Sequence, residues 1–255
     1  MQDRINETEY NYQNCLMKII KYNNNKDIVV EFQDEYKAKV HTTYGHFTNG
    51  NVKNPYYPSV YGVGIIGDKC LISIDGKHIK EYSAWKKILE RCYYEKYKEK
   101  HTTYKNATCC DEWLLYENFY KWLHEQENFD KWLNGDRWNI DKDILIKGNK
   151  VYSPTTCCLV PNNVNKLFTK CDVARGNYPI GVSEQDGKLK SCCHNPFTNK
   201  MEFLGYHSTE ENSFNAYKKY KENIIKQVAK IEYEANNITK QCYEAMMDYE
   251  VEITD

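Results

Sequence analysis

No apolar run in this chain approaches the roughly 18–20 residues needed to span a bilayer, so no membrane helix is expected. The opening residues, Met1-Gln-Asp-Arg-Ile-Asn-Glu-Thr-Glu, are polar and acidic and lack the basic and apolar segments of a signal peptide. A cytoplasmic protein is the expectation. Eleven cysteines are present, yet no Cys-x-x-Cys spacing occurs among them. Six of them form adjacent pairs, Cys109-Cys110, Cys157-Cys158 and Cys192-Cys193. Neighbours on a strand point to opposite faces, so such a pair does not readily give two ligands to one zinc ion. An odd count in a reducing compartment also argues against a disulfide framework. The cysteines therefore read as reduced packing residues, with an assembled metal site as the alternative. A large excess of one charge is missing too: 35 Lys and Arg stand against 36 Asp and Glu, a net of −1. That excludes a uniformly basic protein but permits local basic faces. Internal repeats and low-complexity linkers are absent, so the segments are expected to pack closely. What the chain has in plenty is Lys, Asn, Ile and Tyr, a bias that fits an AT-rich coding genome better than any chemistry.

The expected fold class is α+β. Residues 17–80 read as β structure: Met17-Lys-Ile-Ile-Lys-Tyr and Asp27-Ile-Val-Val-Glu-Phe flank the hairpin signal Asn23-Asn-Asn. Further strands are expected over 36–43, 62–66 and 69–74. The stretch Gly62-Val-Gly-Ile-Ile-Gly67 has a dinucleotide-loop spacing, but β structure follows it rather than a helix, so it reads as a strand bend. From residue 81 the period becomes helical. Trp85, Ile88, Leu89 and Cys92 fall on one face, and Trp113, Tyr116, Phe119, Tyr120 and Leu123 repeat the pattern. These aromatics read as core. The stretch Trp138–Asn165 reads as strand, turn at Lys147-Gly148-Asn149, second strand and helix start. Three short strands follow, with turns at Gln185-Asp-Gly and Asn195-Pro-Phe-Thr-Asn. A helix then starts at Ser208/Thr209, with Glu210 and Glu211 in its first turn. The expected domains are a β-rich 1–80, a helical segment with a ββα finger over 81–172, and a sheet-plus-helix module over 173–255 with a helical tail.

The last module resembles the APETALA2/integrase-type DNA-binding module. The likeness is carried by Gly176-Asn-Tyr-Pro-Ile-Gly-Val, by the strand holding Lys188 and Lys190, by Phe203-Leu-Gly-Tyr-His-Ser-Thr-Glu-Glu, and by Phe214-Asn-Ala-Tyr-Lys-Lys-Tyr-Lys-Glu. In that family the open sheet face enters the major groove of double-stranded DNA, which suits a β ribbon. The resemblance implies contacts by Arg175, Lys188, Lys190, Ser191 and His194: cations for phosphate and guanine, small polar groups for base edges. The alternative is an ordinary solvated strand face.

Residues 80–230 as a whole resemble phage-encoded HNH endonucleases joined to such a module. The likeness rests on Trp85-Lys-Lys-Ile-Leu-Glu-Arg-Cys-Tyr, Trp113, Asn118-Phe-Tyr-Lys-Trp122, Ile140-Asp-Lys-Asp-Ile-Leu, and Asn149-Lys-Val-Tyr-Ser-Pro-Thr-Thr-Cys-Cys-Leu-Val-Pro with Asn165. It implies a one-metal finger, in which a strand-end histidine takes a proton from water while a carboxylate and a helix amide hold a divalent cation. The corresponding positions here are Asp141, Asp143 and Asn165, as catalytic and metal-ligating candidates for Mg²⁺ or Mn²⁺. The amide that pins the loop corresponds to Cys157 or Cys158. No histidine lies between His124 and His194, so the usual base is missing. Aspartate oxygens suit Mg²⁺, but an ordinary aspartate is a poor base near neutral pH.

Two functions stay open: a metal-dependent phage DNA endonuclease of homing type or its degenerate descendant, and a non-catalytic phage factor that binds DNA or a host protein, the latter through its N-terminal segment, as a regulator or anti-defence protein. Asp141 and Asp143 also fit a plain ion-pair cluster with Lys142, Lys147 and Lys150.

Overall fold

The computed structural model describes residues 4–169 and 178–253. Helices and antiparallel sheets occupy different stretches of the chain, an α+β architecture. Two compact units divide it, Met1–Lys121 and Trp122–Asp255. No described helix is long and apolar enough to cross a membrane.

The first unit begins with a four-stranded antiparallel meander: β1 (Thr8–Tyr10), β2 (Leu16–Asn24), β3 (Asp27–Phe32) and β4 (Lys39–Thr42), in that spatial order. The asparagine run ends β2 and supplies the first residue of the two-residue β2–β3 turn, Asn25-Lys26, and Met17 pairs with Phe32 across the hairpin. Alternation then sends Met17, Ile19, Ile28, Val30 and Phe32 into one core, which the short helix α1 (Tyr44–Thr48) closes with Phe47. Beyond it the expected strands shrink. Residues 62–66 supply only single bridges, Val60 to Gly64 and Ile65 to Leu115. Of 69–74 only β5 (Ser73–Ile74) is strand, paired with β6 (Lys77–His78). The reason is packing. A Cβ on Gly64 would sit 2.4 Å from a Leu89 methyl carbon and 3.0 Å from the Trp85 ring, so this backbone is pressed onto a helix instead of extending a sheet.

That helix, α2 (Lys80–Tyr93), buries Trp85, Ile88, Leu89 and Cys92, the face its periodicity marks. It is followed by α3 (Glu95–Lys100), β7 (Thr108–Cys109) and α4 (Tyr116–His124). Trp85 donates its indole N–H to the Trp113 carbonyl at 2.7 Å, and its ring lies 5.2 Å from Tyr116. Trp113 meets Phe119 edge-on at 5.1 Å. The aromatic residues are core here, and the Tyr116 hydroxyl, like the Trp85 indole, is hydrogen-bonded, donating to the Leu71 carbonyl at 3.2 Å.

The second unit contains α5 (Phe129–Asn134), the finger strands β8 (Trp138–Asp141), β9 (Val151–Tyr152) and β10 (Cys158–Pro161), and the helix α6 (Asn162–Leu167). After these come β11 (Val182–Gln185), β12 (Lys188–Asn195) and β13 (Lys200–His207), then the long α7 (Glu210–Glu234) and α8 (Lys240–Met247). The helix start falls at Thr209, whose hydroxyl accepts from the Asn212 amide. One core joins both halves of this unit. Cys158, Val160 and Val164 of the finger, Val182 and Cys193 of the sheet, and Phe214, Tyr217, Ile225 and Val228 of α7 belong to a single buried cluster. Gly181 lies so close to Tyr217 that a Cβ there would stand 2.0 Å from the ring, and its φ of +77° suits glycine alone. At the far end of α7, Lys131 caps the exposed carbonyls of Ala235 and Asn236 at 2.8 and 3.1 Å.

Candidate nucleic-acid interface and the finger

The three C-terminal strands are antiparallel in the order β11-β12-β13. Asp186 and Gly187, with φ of 52° and 73°, make the two-residue turn between the first two, as an Asp-Gly pair should. One face of the sheet lies on α7: Val182, Leu189, Ser191, Cys193 and Leu204 point toward it. Alternation therefore turns Lys188, Lys190, Cys192 and His194 outward, beside Ser183 and Gln185 of β11.

Strand β13 departs from simple alternation. Ser191 pairs with Gly205 and Cys192 with Phe203, so Leu204 is an extra residue, a β-bulge. Gly205 takes φ +120° there, a value L side chains rarely adopt. Phe203 and Tyr206 are three apart and would face opposite ways on a regular strand. The bulge puts both on the outer face, where their rings meet edge to face at 5.1 Å. They are 55% and 49% exposed, and Met201 beside them is 63% exposed. The Lys188 ammonium lies 5.8 Å from the Tyr206 ring and that of Lys190 5.8 Å from Phe203. Lys190 also donates to the Gln185 side chain at 3.0 Å. His194 lies 3.3 Å from the Asn199 side-chain oxygen. No carboxylate occupies an outward position of these strands.

Of the expected DNA contacts, Lys188, Lys190 and His194 stand on this face. Ser191 does not. It is fully buried on the α7 side with its hydroxyl unpaired, because the strand period puts it opposite Val182 in the core. Arg175 lies outside the described residues. Sequence reading missed the aromatic pair, whose one signal is a glycine inside a strand, a mark of bulges.

The finger has strand, loop, strand and helix in the expected order. β8 pairs antiparallel with β10, Asp141 opposite Cys158 and Trp138 opposite Pro161. The helix α6 lies against both strands. The connection is longer than a hairpin turn, because Asp141 ends its strand. Its Oδ1 accepts from the amides of Asp143 and Ile144 at 2.7 and 2.9 Å, bending the chain at once. The side chain that pins the loop is Asn149. It donates to the carbonyls of Lys142 and Val151 at 2.8 and 2.7 Å and accepts from the Val151 amide. Cys157 and Cys158 are buried thiols. Burial pushes Cys157 up to about 12. For Cys158, a hydrogen bond with the Cys242 thiol, followed by burial, moves the pKa well up.

Burial holds the Asp141 carboxyl above its ordinary range, against the pull of the two amides. Asp143 is engaged differently. Both its oxygens lie 2.7 Å from the ammonium of Lys142, a residue only 6% exposed that also donates to the Asn149 carbonyl. Asn165 lies within α6, and its carbonyl accepts from the Phe168 amide at 3.2 Å.

These donors fit a divalent cation poorly. The Lys142 ammonium already stands where a metal would meet Asp143, and Asp141 has given one oxygen to the backbone. Among the described residues no group of three or more His, Cys, Asp or Glu side chains could hold a metal ion. The histidines that precede the finger, His101 and His124, pack on Tyr97 at 4.3 Å and on Phe129 at 4.0 Å. No known protein family, curated protein or solved structure matches this chain.

Proposed function

We propose that this protein binds DNA through the outer face of its C-terminal sheet and that the ββα finger serves as scaffold for that sheet. The observation that carries this reading is the composition of one face: Lys188, Lys190 and His194 beside exposed aromatic rings, with no carboxylate among the outward positions. Ammonium groups neutralise phosphates and release their counterions, and this sequence-independent term dominates affinity. The finger contributes through the shared core, since Cys158, Val160 and Val164 pack in the same cluster as Val182 and Cys193. A DNA-binding factor of phage type, acting in the host cytoplasm on double-stranded DNA, is the setting that the sequence resemblance adds.

Fluorescence anisotropy with a labelled oligonucleotide, as duplex and as single strand, tests the reading, and the form that binds is carried through the salt series and the variants. Affinity should fall steeply with salt, and Lys188→Gln with Lys190→Gln should weaken binding and reduce the salt slope by about one per lysine. A flat salt response, or a double variant that binds like the parent, refutes it.

The second reading is cleavage supported by Mg²⁺ or Mn²⁺ through Asp141, Asp143 and Asn165. One feature favours it: the half-buried Asp141 carboxyl, which desolvation holds above its ordinary range at the end of β8, is the kind of group that serves as a general base. Lys142 stands against it. Incubation of purified protein with supercoiled plasmid and either metal separates the two readings. The scaffold reading expects no nicking and DNA binding unchanged by EDTA. Nicking that disappears in Asp141→Ala would install the nuclease in its place.

A further inference from the structure

The face that the DNA-binding reading rests on has a composition more particular than positive charge. Isolated exposed apolar side chains are ordinary on a protein surface. Here Met201, Phe203 and Tyr206 are exposed together on one sheet face, and a cluster of that kind marks an interaction site. The strand is bulged at Leu204 and Gly205, which is what brings the two rings to the same side.

A double helix presents base edges in its major groove, and these are donors and acceptors apart from the thymine methyl. Phe203 and Met201 would desolvate such edges without replacing their hydrogen bonds, which is costly. Unpaired bases present π-faces, and every base has one. Two rings at 5.1 Å, each with an ammonium 5.8 Å away, match that ligand. Bases stack on the rings while Lys188 and Lys190 meet the phosphates linking them. From this juxtaposition we infer that the sheet face is a stacking platform for single-stranded DNA, with Phe203 and Tyr206 as base-binding residues. The occupant is set by charge complementarity as well: cations without carboxylates on the outward positions suit a polyanion. Recognition of this kind tolerates any sequence, because stacking does not read donor and acceptor patterns. The inference rests on the DNA-binding reading and sharpens it from duplex to unpaired strand.

The test uses the full chain and one mixed-sequence oligonucleotide, labelled, as single strand and as blunt duplex. The single strand should bind at least roughly tenfold more tightly than the duplex. Phe203→Ala should weaken single-strand binding by roughly tenfold, the loss typical of one stacked base, and leave the duplex little changed. Phe203→Trp should retain affinity, and its emission should be quenched as the strand binds. Each variant is checked by circular dichroism, although an exposed position should not unfold the sheet. A duplex preference, or Phe203→Ala binding the single strand like the parent, overturns the platform while leaving the DNA-binding reading intact. Failure of both probes to bind in a salt-dependent way removes that reading and the platform together.

Discussion

Asp141 illustrates how one side chain does local work that its residue type does not announce. Its Oδ1 takes two backbone amides that the end of β8 would otherwise leave unpaired, and burial raises its pKa in spite of them. The folded chain thus holds this proton to higher pH than the unfolded chain, whose value is about 3.8. Between the two midpoints the native state binds more protons, so the Asp141 contribution is fully present below the unfolded value and is lost as pH rises through the folded one. Asparagine keeps the acceptor and removes the titration. Urea unfolding of Asp141→Asn should therefore show a smaller decline in stability across that window than the parent. Equal pH profiles would mean that the carboxyl is not held above its ordinary range. Ser191 teaches the converse lesson. A small polar residue next to Lys190 looks like a base contact, yet the strand period puts it inside.

At the scale of elements, β12 carries both faces of the argument. Its inward residues, Leu189, Ser191 and Cys193, lie toward α7, and its outward residues meet solvent. The adjacent cysteines Cys192 and Cys193 are split between the two sides, so they report on them separately. Iodoacetamide at mildly alkaline pH should label Cys192, on the outer face, while Cys157, pushed up to about 12 by burial, stays unmodified. Bound DNA should slow labelling of Cys192 and leave that of Cys15, in the first unit, unchanged. Mass spectrometry of the alkylated peptides reads both. Equal Cys192 rates with and without DNA would place the nucleic acid elsewhere. The finger is an element in the same sense. Its loop is held by the Asn149 hydrogen bonds, its thiols are buried, and Lys142 donates to both oxygens of Asp143 within it.

At the scale of the molecule, finger, sheet and α7 share one core, so the second unit should unfold as one cooperative body. Ile225 sits at its centre, 1% exposed. Ile225→Ala should cost about 2–5 kcal/mol, the range for truncating a buried aliphatic chain. Hydrogen exchange should show protection falling in β10 and in β12 together. Loss confined to the sheet would mean that the two parts unfold independently. The first unit has its own core around Met17, Ile19 and Phe32, and the outward residues discussed above are not drawn from it.

Much of this was legible along the chain. Periodicity marked the buried face of α2, Asp-Gly marked the β11–β12 turn, and Thr209 marked the start of α7, because each depends on neighbours a few residues apart. Lys188 and Lys190 came from the family resemblance instead, and strand alternation, which separates them from Ser191, became usable only once the register was in view. The sequence by itself determined those local elements and which residue types they carry. Only the tertiary structure decided three things. It put Lys142 on Asp143, where spacing left a metal ligand and an ion pair equally open. It pressed Gly64 onto Trp85 and Leu89 and so turned an expected strand into a packed loop. It also bulged β13 at Leu204, bringing Phe203 and Tyr206 to one face. Register, close approach and bulges depend on partners far away in sequence, and no local pattern encodes which partner a residue meets.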